Sequence, residues 1–288
     1  MIQAALVLEG GSYRGMFSAG ALDILMDAKL WFAYVNGVSA GSLVACSYLS
    51  RQPGRSRDIN ETFCNDPRYV GLRNLVQGSG VFDFDFLFGN ICDVLNPMDA
   101  DTLFSSPQKF EVVATDCLTG RPAYFEKSAL GREAFLTACR ASSSMPGLAD
   151  IVWLRHVPYL DGGCSCPIAY QRALDLGYDK IVVVRTRPEG YRKKPDNRPS
   201  MDRAFHRLYR RYPALEAALR QMPRRYNAAC AELEELERTG RIFVVRPDGP
   251  VTVKRLERSP EKLEELYQDG RRIMVDQLDG LMRYLHNA

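Results

Sequence analysis

The chain has 288 residues, 46% of them apolar and 25% charged, and its 38 Lys and Arg against 35 Asp and Glu leave a formal net charge of +3. That is enough for one α/β domain with an extension, and the charge content is ordinary for a soluble protein. The apolar stretches are broken by charges well short of the roughly 18 to 20 residues a spanning helix needs, and no basic start precedes them, so neither a transmembrane span nor a secretory signal is expected. Eight cysteines without a CxxC pair point to reduced thiols in a cytoplasmic enzyme.

In chain order, Ala4-Ala5-Leu6-Val7-Leu8 reads as a short buried strand that runs into Glu9-Gly10-Gly11-Ser12-Tyr13-Arg14-Gly15 and then an apolar-periodic helix over 15–28. A glycine loop in that place turns several backbone N–H groups toward one point at a helix N-terminus, where the dipole favours negative charge. Two anions suit it: a bound phosphate, or the oxyanion formed when a serine attacks an ester carbonyl. The phosphate reading is the weaker. A P-loop ends in Gly-Lys followed by Ser or Thr and the dinucleotide fingerprint needs G-x-G-x-x-G, and Gly10, Gly11 and Gly15 fit neither template. Arg14 adds a fixed positive charge beside the loop. The plain alternative is a tight turn at Gly10-Gly11.

A strand over 33–38 and a helix over 40–50 follow, with Gly37-Val38-Ser39-Ala40-Gly41 between them. The flanking glycines let backbone segments approach closely, so Ser39 can sit on a sharp strand-to-helix turn with its hydroxyl facing a substrate carbonyl. By chance alone such a pentapeptide arises in about one chain in ten of this length, so its context has to decide. Residues 55–106 look helical and irregular. Within them Val81-Phe82-Asp83-Phe84-Asp85-Phe86-Leu87-Phe88 carries four phenylalanines, suited either to flanking an acyl pocket or to packing a core.

Lys109 to Thr115 and Arg121 to Phe125 pair as a hairpin around Asp116-Cys117-Leu118-Thr119-Gly120. A helix over 129–142 and strand structure near 151–160 lead to Tyr159-Leu160-Asp161-Gly162-Gly163. This places the Asp161 carboxylate just past a strand. In an open parallel sheet the ligand crevice lies beyond the carboxyl ends of the strands, so the 9–15 loop, Ser39 and Asp161 would face one cleft. Taken alone, an aspartate beside Gly-Gly is a turn residue capping its own backbone. Cys164-Ser165-Cys166 is either a metal or redox pair or, more simply, a run of small residues opening a helix over 167–176 with Pro167 near its first turn. The strand Lys180 to Arg185 completes the sheet.

After Arg185 the composition shifts. Residues 185–225 hold thirteen Lys or Arg against four Asp or Glu, a local net of +9. Phe205, Leu208, Tyr209 and Tyr212 recur there at helical spacing between arginines. This suits an amphipathic segment on an anionic membrane surface, or a helix whose aromatic stripe packs on the preceding domain. Nucleic-acid binding is not expected, because no recognised module accompanies the charge. Helices near 223–239 and 260–286 flank a strand from Ile242 to Val245.

Three motifs in this order, the loop Gly10-Gly11-Ser12-Tyr13-Arg14-Gly15, the elbow Gly37-Val38-Ser39-Ala40-Gly41 and the triplet Asp161-Gly162-Gly163, resemble those of the patatin-like phospholipases. Ala141-Ser142-Ser143-Ser144-Met145-Pro146-Gly147 is similar to the serine-rich, proline-containing turn those enzymes carry before Asp-Gly-Gly. The likeness spans roughly residues 4–186. It departs at Ser12, which stands where the family has a third loop glycine and restricts φ there.

The resemblance implies an α/β, three-layer fold with a mostly parallel central sheet: a catalytic domain over 1–186, with a basic linker and C-terminal α/β extension over 187–288 packing on it. It implies a Ser39–Asp161 dyad without a catalytic histidine, an oxyanion hole at Gly10, Gly11 and Ser12 with Arg14 adding field, and no cofactor or metal. The expected activity is cleavage of lipid carboxylic esters, of phospholipase A or lysophospholipase type, through an acyl-enzyme. The expected place is cytoplasmic, with peripheral contact at the inner face of an anionic membrane through 185–225. Chain order also permits a triad of Ser39, Asp161 and either His206 or His286, but an α/β-hydrolase has several strands before its elbow and only two fit here. His156, five residues before Asp161, is the remaining histidine. A non-catalytic lipid- or partner-binding protein on the same fold is the rival reading. For the dyad to work, burial has to lift an aspartate whose usual pKa is about 3.9.

Overall fold

A computed structural model describes residues 1–71, 81–194 and 199–286. The parts of the irregular stretch over 72–80 and of the basic segment over 195–198 lie outside the described residues. Strands β1 (Ile2–Leu8) and β2 (Phe32–Val38) are apolar nearly throughout and buried on both faces, as strands in the middle of a covered parallel sheet must be. β3 (Lys109–Asp116), β4 (Pro122–Glu126), β5 (Val152–Leu154), β6 (Val157–Asp161), β7 (Ile181–Val184) and β8 (Phe243–Val245) complete one mixed sheet in the order β5-β6-β3-β2-β1-β7-β8, with β4 also paired to β3. The β3, β2, β1, β7 and β8 run is parallel; β4 and β6 run antiparallel to β3, and β5 antiparallel to β6. The fold is therefore α/β with a mostly parallel central sheet.

The strand structure expected near 151–160 is two strands. Arg155 and His156 both take positive φ, 50° and 64°, and turn the chain back on itself between β5 and β6. Helix α1 (Gly15–Asp27) follows the glycine loop and α2 (Ala40–Leu49) follows the elbow. α3 (Arg55–Phe63), a π-helical segment (Phe86–Leu95) and α4 (Ala100–Ser105) fill the irregular stretch. α5 (Arg132–Ser143) covers β3 and β6, and α6 (Tyr170–Asp175) is shorter than expected because Pro167 lies in the turn that precedes it. α7 (Pro199–Tyr209) precedes α8 (Pro213–Arg238), which starts ten residues earlier than its expected position and continues through Pro223. An interior proline removes one helical hydrogen bond, but Leu215, Leu219, Tyr226, Cys230 and Leu233 bury one face of α8 and hold it.

The last helix, α9 (Pro260–His286), lies against α1. Their backbones meet where both lack a side chain: a Cβ on Gly20 would overlap the Tyr267 carbonyl, and one on Gly270 the Phe17 carbonyl. The Tyr267 hydroxyl donates to Asp23 at 2.5 Å beside this crossing. Alanine at 270 gains about 1 kcal/mol of helix propensity, but the overlap is with rigid backbone, so Gly270→Ala is expected to destabilise by about 2–4 kcal/mol net, read by urea unfolding. Among the described residues no helix is long and apolar enough to cross a membrane.

Candidate active site

β2 ends at Val38 and α2 begins at Ala40, which leaves one residue, Ser39, to turn the chain. Its backbone takes φ 55° and ψ −127°, a strained conformation for a residue with a Cβ. The surroundings fix it from three sides. The Ser39 N–H donates to Ser142 Oγ at 2.8 Å, and that hydroxyl donates to the Val113 carbonyl at 2.6 Å. The Ser39 carbonyl accepts from the Ser42 N–H at 2.8 Å and the Ser42 hydroxyl at 2.6 Å. The glycines of the motif serve close approach: a Cβ at Gly41 would lie 2.6 Å from the Leu8 carbonyl, and one at Gly37 2.6 Å from the Ser42 nitrogen. Ser39 itself is 7% exposed.

Asp161 reaches the same level of the sheet two strands away, since Val38 registers with Val113 on β3 and Asp161 with its neighbour Ala114. It arrives by another route than the parallel-sheet rule suggests. β6 enters from beyond the carboxyl end of β3 and runs antiparallel, so its own last residue delivers the carboxylate to the crevice. Ser39 and Asp161 line the same cleft, with the Ser39 hydroxyl near enough to favour the ionised carboxylate, and the Gly163 N–H donates to Oδ1 at 2.7 Å. The backbone is pinned as well: Asp161 N–H donates to Ser144, and Thr115 Oγ1 to the Asp161 carbonyl. With 6% of its surface exposed, Asp161 has its pKa pushed by burial from 3.8 to about 6, against the opposing pull of the nearby Ser39 hydroxyl, the Gly163 hydrogen bond and the charges of Lys193 and Arg255.

The glycine loop packs on the elbow, with a Cβ at Gly10 falling 2.8 Å from the Val38 carbonyl and 2.9 Å from Ser39 Cβ. Among the described residues no acceptor takes the N–H of Gly11 or Ser12, so both amides are available to an anion. Ser12 adopts φ 53°, the left-handed region that glycine favours, and its hydroxyl donates to the Arg255 carbonyl at 2.7 Å, which ties the loop to the C-terminal extension. The loop's other anchor is Glu9, whose carboxylate accepts from the Thr186 N–H and the Tyr226 hydroxyl at 2.8 and 2.7 Å. Arg14 is 8% exposed, with Nε buried and unpartnered among the described residues. Burial and the charges of Arg187 and Arg255 lower its pKa to about 10, which leaves it charged at neutral pH.

Two cavities meet at Ser39. One, of about 90 Å³, is lined by Tyr69, Phe82, Phe84, Leu87 and Phe88; the other, of about 800 Å³, is lined by the glycine loop, Asp161 and several cations. Phe82 and Phe84 stack at 6.3 Å within the core and also wall the cavity beside the serine. The histidines lie elsewhere. His156 is exposed in the β5–β6 turn, His206 pairs with Glu216 at 3.1 Å on the surface, His286 bonds the Met282 carbonyl, and none lines either cavity. Cys164 is buried with Leu160 and Tyr209, while Cys166 sits beside the Tyr124 hydroxyl. Of the basic segment's aromatic stripe, Phe205, Tyr209 and Tyr212 pack against Cys117, Leu160 and Leu215, and Leu208 stays 57% exposed.

Sequence reading missed Ser142, Glu9, Lys193 and Arg255. Ser142 stood within the serine-rich turn, where the signal existed. Lys193 stood in the basic segment read for membrane contact and Arg255 carried no signal, because nothing local says that residues 154 and 216 positions after Ser39 will face it.

Compared with known proteins, residues 6–170 match the family model described as patatin-like phospholipase, and residues 212–286 match that of a domain of unknown function, DUF6363. The uncharacterized protein YjjU of Escherichia coli K12 is 33% identical over 189 residues, which cover 64% of this chain and 52% of that protein, so the match spans about half the length of this relative. Among solved structures, VipD from Legionella pneumophila aligns over 97% of this chain and 67% of its own at 10% identity with a TM-score of 0.48. The type III effector protein ExoU aligns over 99% and 54% at 11% identity with a TM-score of 0.43.

Proposed function

Because the chain belongs to the patatin-like phospholipase family, we propose that it is a lipid acyl hydrolase of phospholipase A or lysophospholipase type that works through Ser39 and Asp161. The observation that carries the reading is that Ser39, held on its strained elbow, and the buried Asp161 carboxylate, with its pKa pushed up to about 6, line one cleft together with the glycine loop. A base is most useful when its pKa lies near the working pH, and burial moves this one in that direction. The unpaired amides of Gly11 and Ser12, beside Gly10 and the Arg14 charge, supply an oxyanion hole.

In the reaction, Ser39 Oγ bonds to the ester carbonyl carbon while its proton passes to Asp161, and the negative oxygen rests on the loop amides. Collapse breaks the bond to the alcohol, which leaves with the proton from Asp161. Water then attacks the acyl-enzyme and gives its proton to Asp161. The second collapse releases the fatty acid and returns the proton to Ser39 Oγ. Residues 1–186 hold this machinery. The extension over 187–288 is the support of its loop, through Tyr226 on Glu9 and the Arg255 carbonyl on Ser12.

Incubation of the full chain with a fluorophosphonate probe, followed by peptide mapping, tests the reading. The expected adduct is at Ser39. A folded protein that takes up no label would point instead to a binding protein without esterase chemistry.

A further inference from the structure

Resting on the hydrolase reading, a second question is which ester the site accepts, and the two cavities differ in a way that answers it. Both are lined by Ser12, Ser39 and Met145, so a carbonyl held at Ser39 stands at their junction. An ester carbonyl divides a glycerolipid into an acyl chain and an alcohol. The phenylalanine-walled cavity suits the chain. The alcohol then leaves into the larger cleft.

That cleft carries more positive charge than its own acids can balance. Arg14, Arg187, Lys193 and Arg255 line it, and each lies within the electrostatic reach of another: Arg187 and Arg255 act on Arg14, and Arg14 and Arg255 on Lys193. With Lys194, Arg220 and Arg224, seven cations line the cleft against three acids, Glu9, Asp161 and Asp202. Glu9 also accepts from Thr186 and Tyr226 and stands 3.7 Å from Arg185, and Asp161 accepts from Gly163. Among the described residues, none of the four cations forms an ion pair within 4 Å. Arg187 lies 4.4 Å over the Tyr191 ring and Lys193 4.1 Å over the Tyr226 ring, so two of the cleft's three aromatic rings already carry a cation and leave less aromatic surface for a quaternary ammonium. Glu9 and Asp161 offset part of the charge on Lys193, and Glu9 part of that on Arg14, but the excess of like charge remains and favours the arrival of an anion.

We propose that the cleft lined by Arg14, Arg187, Lys193 and Arg255 is a headgroup subsite that selects phospholipid esters of net negative charge, with the phosphate of the leaving alcohol held by these side chains. A choline or ethanolamine headgroup brings its own cation into the same cleft, and a neutral glyceride brings no phosphate.

The test uses the full chain and dihexanoyl lipids below their micellar concentration, so that attraction to a charged surface plays no part. Dihexanoyl phosphatidylglycerol is expected to be cleaved with kcat/KM roughly tenfold or more above dihexanoyl phosphatidylcholine, as opposed charge patterns at one site require. In an Arg187→Gln, Arg255→Gln double variant that ratio, taken within the variant so that any general loss of activity cancels, is expected to fall close to one. Equal cleavage of the two lipids by the unsubstituted protein would overturn the subsite, whether or not the double variant folds. Hydrolysis of p-nitrophenyl butyrate separates this failure from a deeper one: if it persists and depends on Ser39, only the headgroup assignment is lost, and if the folded protein cleaves no ester, the hydrolase reading falls with it. Sodium phosphate distinguishes a headgroup from a free anion. Weak competition against phosphatidylglycerol is expected, and a loss of butyrate hydrolysis of about tenfold at low millimolar phosphate would make the cleft a free-phosphate site and overturn the proposal.

Discussion

Replacing Ser39 with alanine is expected to lower ester hydrolysis by about 10⁴-fold or more while leaving the protein folded. The size follows from removing the atom that bonds to the carbonyl, with only the oxyanion amides and substrate binding left to act on water. The fold survives because what holds the elbow is backbone. The Ser39 N–H to Ser142 and the Ser39 carbonyl to Ser42 persist in the variant, and alanine inherits the strain of φ 55° without adding to it. Unfolding free energy is therefore expected to change by less than about 1 kcal/mol. Rates on p-nitrophenyl butyrate together with urea unfolding check both halves. Retained activity in Ser39→Ala would remove the serine from the chemistry.

Asp161→Asn is expected to do the opposite to activity and stability. Activity falls by about 10³-fold or more, because an amide cannot take the Ser39 proton. Stability rises. The folded protein holds the Asp161 proton up to a pKa of about 6, whereas the unfolded chain releases it near 3.8. Well below pH 3.8 both states are protonated and the carboxyl has no differential effect. Between pH 4 and 6 the unfolded state ionises first, so stability is lost as pH rises, and above pH 6 the full penalty of about 3 kcal/mol is in place. Asparagine, which can still accept from Gly163, is free of that penalty. Its gain over the aspartate protein is expected to approach about 2–3 kcal/mol at pH 8 and to fall to about 0.5 kcal/mol at pH 4, read from urea midpoints at the two pH values. The same ionisation sets the activity profile of the unsubstituted enzyme, whose kcat/KM is expected to climb through pH 6 and level off above it. A profile flat from pH 5 to 8 would remove Asp161 from the role of base.

The amino-acid sequence by itself determined the parts whose signals are local. A β-branched and aliphatic run before a glycine loop makes β1 and the start of α1. The alternation around Asp116 to Gly120 makes the β3–β4 hairpin, and glycines two residues either side of Ser39 make the elbow, because each of these depends on neighbours a few positions away. Helix boundaries at 132, 170 and 213 were less legible, since Pro167 and Pro223 act through what packs on them.

Tertiary structure alone decided the rest. That Asp161 lines the same cleft as Ser39 depends on the reversal at Arg155 and His156, which makes β6 antiparallel and sets its register against β3, a pairing that no spacing encodes. The pKa of Asp161, the anchoring of the glycine loop by Tyr226 and Arg255, and the gathering of Lys193 and Arg255 before the serine are likewise consequences of burial and of contacts between residues more than a hundred positions apart. Desolvation and Coulomb interactions depend on distance through the folded molecule, and chain separation carries no measure of that distance.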